Sequence, residues 1–280
     1  MSAFKKGLAE RGYVEGKNLR VEYRYARLDQ DYDSVMEALV SGKVDLIVAS
    51  NAPSATAAAK ATRVIPIVLA GVNDPVGLGL VESLNHPGRN VTGTTIHAPE
   101  LIGERLRILK QAVPRLDKVT ILMNGNNKNN PAQVALLADA GKKLGIVVRS
   151  AAIWSPEDLA PAVDEAILGG AQGFFNCVDS FINSQRSAIA NLMARKKRPM
   201  IYTDREYVLA GGLMALGVGH TESFNLAAAY VDTILHGANP ADLPIVRPTQ
   251  LAFSVSRSAL DDLGVDLPKD IADRVTEWLP

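Results

Sequence analysis

Val119-Thr120-Ile121-Leu122-Met123 breaks at Asn124-Gly125-Asn126-Asn127, and a helix-period pattern follows over residues 131–143. A short apolar run bounded by turn formers reads as a strand buried on both faces, and a strand that feeds a helix within a few residues is half of a βαβ unit. Working outward, the same grammar recurs at Val44–Ala49, Ile65–Leu69, Gly173–Cys177 and Pro199–Tyr202, each run ending in a polar turn and then a helix. Strands alternating with helices of this length predict an α/β fold built on parallel sheets.

The remaining pattern fills in around these runs. Helices are predicted over 4–11, 32–41, 53–61, 76–84, 99–113, 156–168, 181–196, 223–235, 257–263 and 268–279, and further strands over 90–96, 146–152, 213–217 and 251–255. Residues 18–25 alternate Leu19, Val21, Tyr23 and Tyr25 with polar neighbours, which predicts another strand. The strand–helix order runs once to about residue 97 and then begins again. No sequence repeat aligns, but the architecture repeats, and it predicts two similar lobes with a cleft between them. The Pro-punctuated stretch from Pro240 to Pro248 reads as a return crossing between lobes.

Composition narrows the function. The 280 residues are 47% hydrophobic and 21% charged, and 30 basic residues offset 30 acidic ones, so no global field argues for nucleic acid or a membrane surface. The one cysteine, Cys177, rules out an internal disulfide. No stretch approaches the roughly 18 apolar residues that span a bilayer, and Met1–Leu8 lacks the apolar region of a signal peptide, which taken literally predicts a cytosolic chain. His86, His97, His220 and His236 are scattered without metal-ligand spacing, there is no GxSxG or GxxxxGK[ST], and Gly77-x-Gly79 and Gly217-x-Gly219 each lack the third glycine of a dinucleotide fingerprint. The expectation is no catalytic residue, no metal and no cofactor.

Ligands of parallel α/β sheets bind beyond the carboxyl ends of the strands. Those ends supply Ser50, Asn51 and Ser54, then Asn73, Asn124, Asp179, Tyr202, Thr203 and Asp204 as candidate ligand-binding residues. Asn51–Ser54 opens a helix, so its free N–H groups suit a carboxylate, or its side chains simply cap. Asp179 either holds an ammonium or caps the helix after it. Asn73 is a candidate to face a ligand, whereas Asp74-Pro75 reads as a turn. Tyr202 is either core or a ring offered to an apolar ligand, and Arg205-Glu206 reads as a local ion pair.

Several strings go beyond grammar. Gly12–Leu19 with Glu22-Tyr23-Arg24, Asp74-Pro75-Val76-Gly77 with Asn90-Val91-Thr92-Gly93, Tyr202-x-x-Arg205-Glu206 with Ala210–Met214, and Gly237–Pro244 with Pro248-Thr249 resemble, in order and spacing, the ABC transporter substrate-binding proteins whose best-known members bind tryptophan and other aromatic amino acids. The resemblance implies a type I periplasmic-binding-protein fold, two doubly wound lobes joined by three crossings, here residues 1–97 with 220–244 and residues 98–219 with 245–280. It implies a small-molecule ligand, amino acid or aromatic acid-like, held by hinge closure, with its carboxylate at Ser50–Ser54 and its amine at Asp179, and Asn73, Asn124 and Thr203 along the rim. It also implies a membrane permease as partner, an extracytoplasmic location and a monomer.

The chain departs from that family at its start, where a signal segment and a first strand with its ligand-facing loop would precede the opening helix. By analogy the first lobe's strands run 2-1-3-4-5, so a gap is expected beside its neighbours, closed by sheet rearrangement or by a strand from elsewhere, including strand exchange in a dimer. Two other readings stay open: a ligand-sensing domain of a signalling system, and an enzyme using Asp179 with Asp204 as acid and base.

Overall fold

A computed structural model describes residues 2–25 and 31–280. Two compact units emerge, Met1–His97 with Gly219–Gln250 and Ala98–Val218 with Leu251–Pro280. In chain order the first unit begins with α1 (Ser2–Ala9), α2 (Asp31–Ser41), β1 (Ile47–Ala49), α3 (Ala52–Ala61), β2 (Ile67–Val72) and β3 (Val91–Thr95). The second unit follows with α4 (Glu100–Ala112), β4 (Lys118–Asn124), α5 (Asn130–Leu144), β5 (Val147–Ile153), α6 (Leu159–Leu168), β6 (Gly173–Asn176), α7 (Ser180–Ser184), α8 (Arg186–Arg195), β7 (Ile201–Tyr202), α9 (Arg205–Leu209) and β8 (Met214–Val218). The chain then returns α10 (His220–Leu235) to the first unit and ends in the second with β9 (Leu251–Ser256), α11 (Arg257–Leu263), α12 (Lys269–Ala272) and β10 (Glu277–Leu279).

The first unit's sheet is parallel, ordered β1-β2-β3, with Ile47 opposite Ile67 and Ile67 opposite Val91. Strand side chains alternate faces. Ile67 and Leu69 therefore join Met36, Ala55 and Ala58 from α2 and α3, while Val68 and Ala70 join Phe4 and Leu8 of α1 and Ala227, Ala228 and Val231 of α10. Every residue of β2 is buried, the signature of a strand covered on both faces.

In the second unit β4 lies between β5 and β6, and β7, β8, β9 and β10 form a further sheet. Phe174 bridges Met200 in parallel, and its N–H donates to Pro199 O at 3.0 Å, which joins the two sheets edge to edge. All pairs here are parallel except β8 with β9. The core gathers Leu122, Ile153, Val163, Phe174, Ile189, Met193, Met200, Tyr202 and Tyr207.

Several expectations need correction. Residues 18–25 form no strand; Glu15 and Leu19 make an isolated bridge, and the alternation beyond it finds no ladder partner. Among the described residues β1 is an edge strand of its sheet, paired with β2 alone. Parallel pairing of Ile47 and Ala49 with β2 points the backbone groups of Val48 to the free edge of β1, where Val48 is 37% exposed. Residues 76–84 form successive turns instead of a helix, because Asp74 sits at φ 45° with Oδ1 accepting from Gly77 N–H, and Gly79 sits at φ 68°.

The helix expected over 181–196 breaks at Gln185. Ser184 turns its hydroxyl onto Phe181 O, and the Gln185 N–H bonds Ile182 O three residues back, tightening the turn. The terminal helix is confined to α12. Val275 and Thr276 are weak helix formers, and β10 pairs instead with β9, Glu277 opposite Ser254. Residues 245–250, assigned by sequence to the second lobe, bond to the first unit, with Val246 N–H donating to Gly93 O and Ile245 N–H to Leu84 O.

Candidate functional site

The strand tips of the second unit carry a dense polar cluster. Asp179 caps α7, its Oδ1 accepting from the N–H groups of Phe181 (2.9 Å) and Ile182 (3.1 Å). Its Oδ2 accepts from Asn127 Nδ2 at 2.7 Å and Asn130 Nδ2 at 3.3 Å, and Asn124 Nδ2 spans both oxygens at 3.3 and 3.4 Å. The amide oxygens of the same three asparagines accept backbone N–H groups of the loop they stand on: Asn124 from Asn126, Asn127 from Asn129 and Asn130 from Asn124, each at 2.9 Å. A carboxylate offers about four lone-pair sites, so the protein already fills Asp179. Its cap and its hold on residues 124–130 come before any hold on an ammonium, which would have to displace an amide.

The other candidates in this unit divide. Thr203 accepts from Asn176 Nδ2 at 2.9 Å, and Asn176 also donates to Tyr207 Oη and Cys177 O. Asp204 caps α9 by accepting Glu206 N–H at 2.9 Å. Tyr202 is fully buried, stacked on Tyr207 with ring centroids 4.7 Å apart, so its ring is core and is not presented to a ligand. Burial pushes its phenol, and the Cys177 thiol, well above their ordinary pKa values, which keeps both protonated and inert. Arg205 turns from Glu206, 3.6 Å away, to a bidentate pair with Glu277 at 2.6 and 2.8 Å.

The first unit's tips are partly used up by capping. Asn51 Oδ1 accepts Ser54 N–H at 2.8 Å while Ser54 Oγ accepts Asn51 N–H at 3.3 Å, a reciprocal capping box, and Pro53 has no N–H. That narrows what this helix start offers an anion to the Ala52 N–H, beside exposed Ser50. Asn73, at the end of β2, accepts at Oδ1 from His97 Nδ1 at 3.2 Å.

Sequence reasoning missed Asn127 and Asn130 as partners of Asp179, and it missed Trp154, an indole at the end of β5 that is 59% exposed. Their signal was the asparagine density of 124–130 and a tryptophan directly after a strand. Among the described residues no group of three His, Cys, Asp or Glu is placed to hold a metal, and no helix is long and apolar enough to cross a membrane.

The family model described as ABC transporter substrate binding protein matches residues 1–278. The chain belongs to that family. Substrate-binding proteins of this family bind small molecules, work with ABC permeases outside the cytoplasm and are not catalytic. A tyrosine-binding protein of Clostridioides difficile is 29% identical over 273 residues, 97% of this chain and 78% of the relative. A Vibrio cholerae conserved domain protein is 27% identical with a TM-score of 0.92, covering 99% of this chain and 93% of that one. An ABC domain from Streptococcus pneumonia in complex with L-Trp is 23% identical, also with a TM-score of 0.92 and the same coverage. These likenesses establish the type I periplasmic-binding-protein fold, two α/β lobes with parallel sheets.

Proposed function

We propose that this substrate-binding protein captures an amino acid or aromatic acid outside the cytoplasm, changes nothing in it chemically, and presents it to its permease. The observation that carries the reading is the cluster around Asp179, where three asparagines are locked at the strand tips by bonds at both ends of each amide. Groups held this way lose little freedom when a solute arrives, so each new hydrogen bond is realised nearly in full. Each Nδ2 carries two protons, so the half-buried amides of Asn124 and Asn127 can offer one beyond Asp179, while Asn130 is fully buried and serves only to hold the carboxylate. Asn124 and Thr203 in this unit, with Ser50, Asn51, Ser54 and Asn73 in the other, are the proposed polar contacts; Asp179 acts mainly by holding the asparagines, and Asp204 by fixing the start of α9. The tyrosine-binding relative supports an amino acid as solute.

A solute touching residues of both units stabilises whichever conformation lets both reach it, and that population shift is what a permease can read. Native mass spectrometry of protein purified from its own host, followed by calorimetry with the twenty amino acids and a set of aromatic acids, tests the proposal. Micromolar or tighter binding of one of them is the expected result. A protein that binds none of them sinks it.

A further inference from the structure

Among the described residues, Trp154 is the large aromatic that directly follows a strand and is turned outward. Its backbone is pinned on both sides: Trp154 N–H donates to Asp158 Oδ2 at 3.0 Å, as does Ser155 N–H at 2.8 Å, and Trp154 O accepts from Asn126 Nδ2 at 3.3 Å. The neighbouring tip is tied in as well, Gly125 N–H donating to Ile153 O at 2.9 Å. The indole lies on Gly125: a Cβ at that position would fall under 3.0 Å from Cδ2, Cε2 and Cε3, all at or beside the fused bond of the ring system. One region of the ring is therefore seated on a glycine, and 59% of the residue is left to solvent. The indole thus sets a large flat apolar face, open to solvent, directly against the polar 124–127 turn.

We infer that the exposed face of Trp154 is the stacking platform for a planar ring of the solute. This rests on the solute-capture reading above and narrows it. The same loop that seats the indole carries Asn124 and Asn127, whose amides converge on Asp179. Hydrogen-bonding groups and an aromatic plane thus meet at one short loop, the indole packed on Gly125 between Asn124 and Asn126. That juxtaposition matches a molecule with a polar head next to a flat ring, an aromatic amino acid or a hydroxylated aromatic acid, and it gives an aliphatic amino acid nothing to stack with. Gly125 belongs to the device, because any side chain there would lift the ring from its seat.

The probes are L-tyrosine, 4-hydroxybenzoate and L-leucine, titrated by calorimetry into wild type, Trp154→Ala, Trp154→Phe and Gly125→Ala. The expected result is that a ring-bearing probe binds wild type more tightly than leucine, loses about tenfold or more in affinity in Trp154→Ala, and keeps most of it in Trp154→Phe. Gly125→Ala, which keeps the indole but lifts it from its seat, weakens the same probe. In a Trp278→Phe background Trp154 is the sole tryptophan, and its emission shifts as the ring-bearing probe saturates. All variants alter exposed or loop positions, and circular dichroism confirms their folding. If a ring-bearing probe binds wild type and Trp154→Ala equally and leaves the emission unchanged, the platform is overturned while solute capture stands. If leucine binds most tightly, the platform is overturned as well. If wild type binds none of the three, the platform is overturned, and solute capture is decided separately by the screen of all twenty amino acids and the aromatic acids.

Discussion

Asp179 shows how one residue changes meaning between sequence and structure. Its place after a strand marked it for the site, but sequence could not say that three asparagines would already occupy it. Asn127 and Asn130 lie three and six residues past Asn124, and only the fold of the loop brings them together on one carboxylate. Tyr202 is the converse: an aromatic at a strand end looks the same whether it faces in or out, and here Tyr207 from the next helix covers it. Trp154 has that same local signature and faces out. Removing the carboxylate in Asp179→Ala strands two backbone N–H groups of α7 and three amides at once. The expected loss is about 1–3 kcal/mol of stability, since partly exposed donors recover some water, together with weaker solute binding; chemical denaturation and calorimetry on the same sample check it. Glu104 gives a pH-dependent prediction. Arg107, donating at 2.7 and 2.9 Å, and then Arg274 hold its carboxyl at about 2, down from 4.5, against the opposing effect of partial burial. A depressed folded-state pKa contributes stability above the unfolded value and loses it as pH falls through the folded one. Wild type should therefore exceed Glu104→Gln by roughly 2–3 kcal/mol above about pH 5, the gap closing toward pH 2; thermal melts across that range measure it.

At the scale of elements, the strand–helix alternation was readable because buried parallel strands are continuous apolar runs and their helices carry a 3.6-residue period. What failed were segments whose state depends on a neighbour. Residues 18–25 have the alternation of a strand, but no strand among the described residues pairs with them, and 277–279 became β10 because β9 had an edge to offer. Backbone pairing is decided between elements, and periodicity within one cannot report it. The free edge of β1 carries this logic outward. An accessible strand edge recruits strands from other molecules, so concentration-dependent association by light scattering is expected, and Val48→Lys should shift it toward monomer. Gly217 gives a sharper test inside β8. A Cβ there would lie under 3.0 Å from Thr203 O, which is backbone and cannot swing away. Gly217→Ala should cost about 3 kcal/mol or more and displace Thr203, visible as a lowered melting temperature.

At the scale of the whole molecule, the chain visits the first unit, the second, the first again and the second again, so neither unit is continuous in sequence. Each then completes its fold only when distant segments return: α10 closes the face of β2 in the first, and β9 pairs with β8 in the second. Such a chain has two cores that can respond separately to heat, and this makes ligand binding informative about where the solute sits. A solute that binds the folded protein alone stabilises it by RT ln(1 + [L]/Kd), about 2.7 kcal/mol at a hundredfold excess over Kd. If residues of both units contact the solute, calorimetric melts should move as one cooperative transition in its presence, and Asn73→Ala in the first unit should reduce the shift as Asn124→Ala does in the second. If the solute rests on the second unit alone, Asn73→Ala leaves the shift intact and only part of the melting profile moves. The first result is the expected one, because a permease can sense occupancy only if binding alters the protein it docks with, and a solute confined to one unit gives the other nothing to respond to.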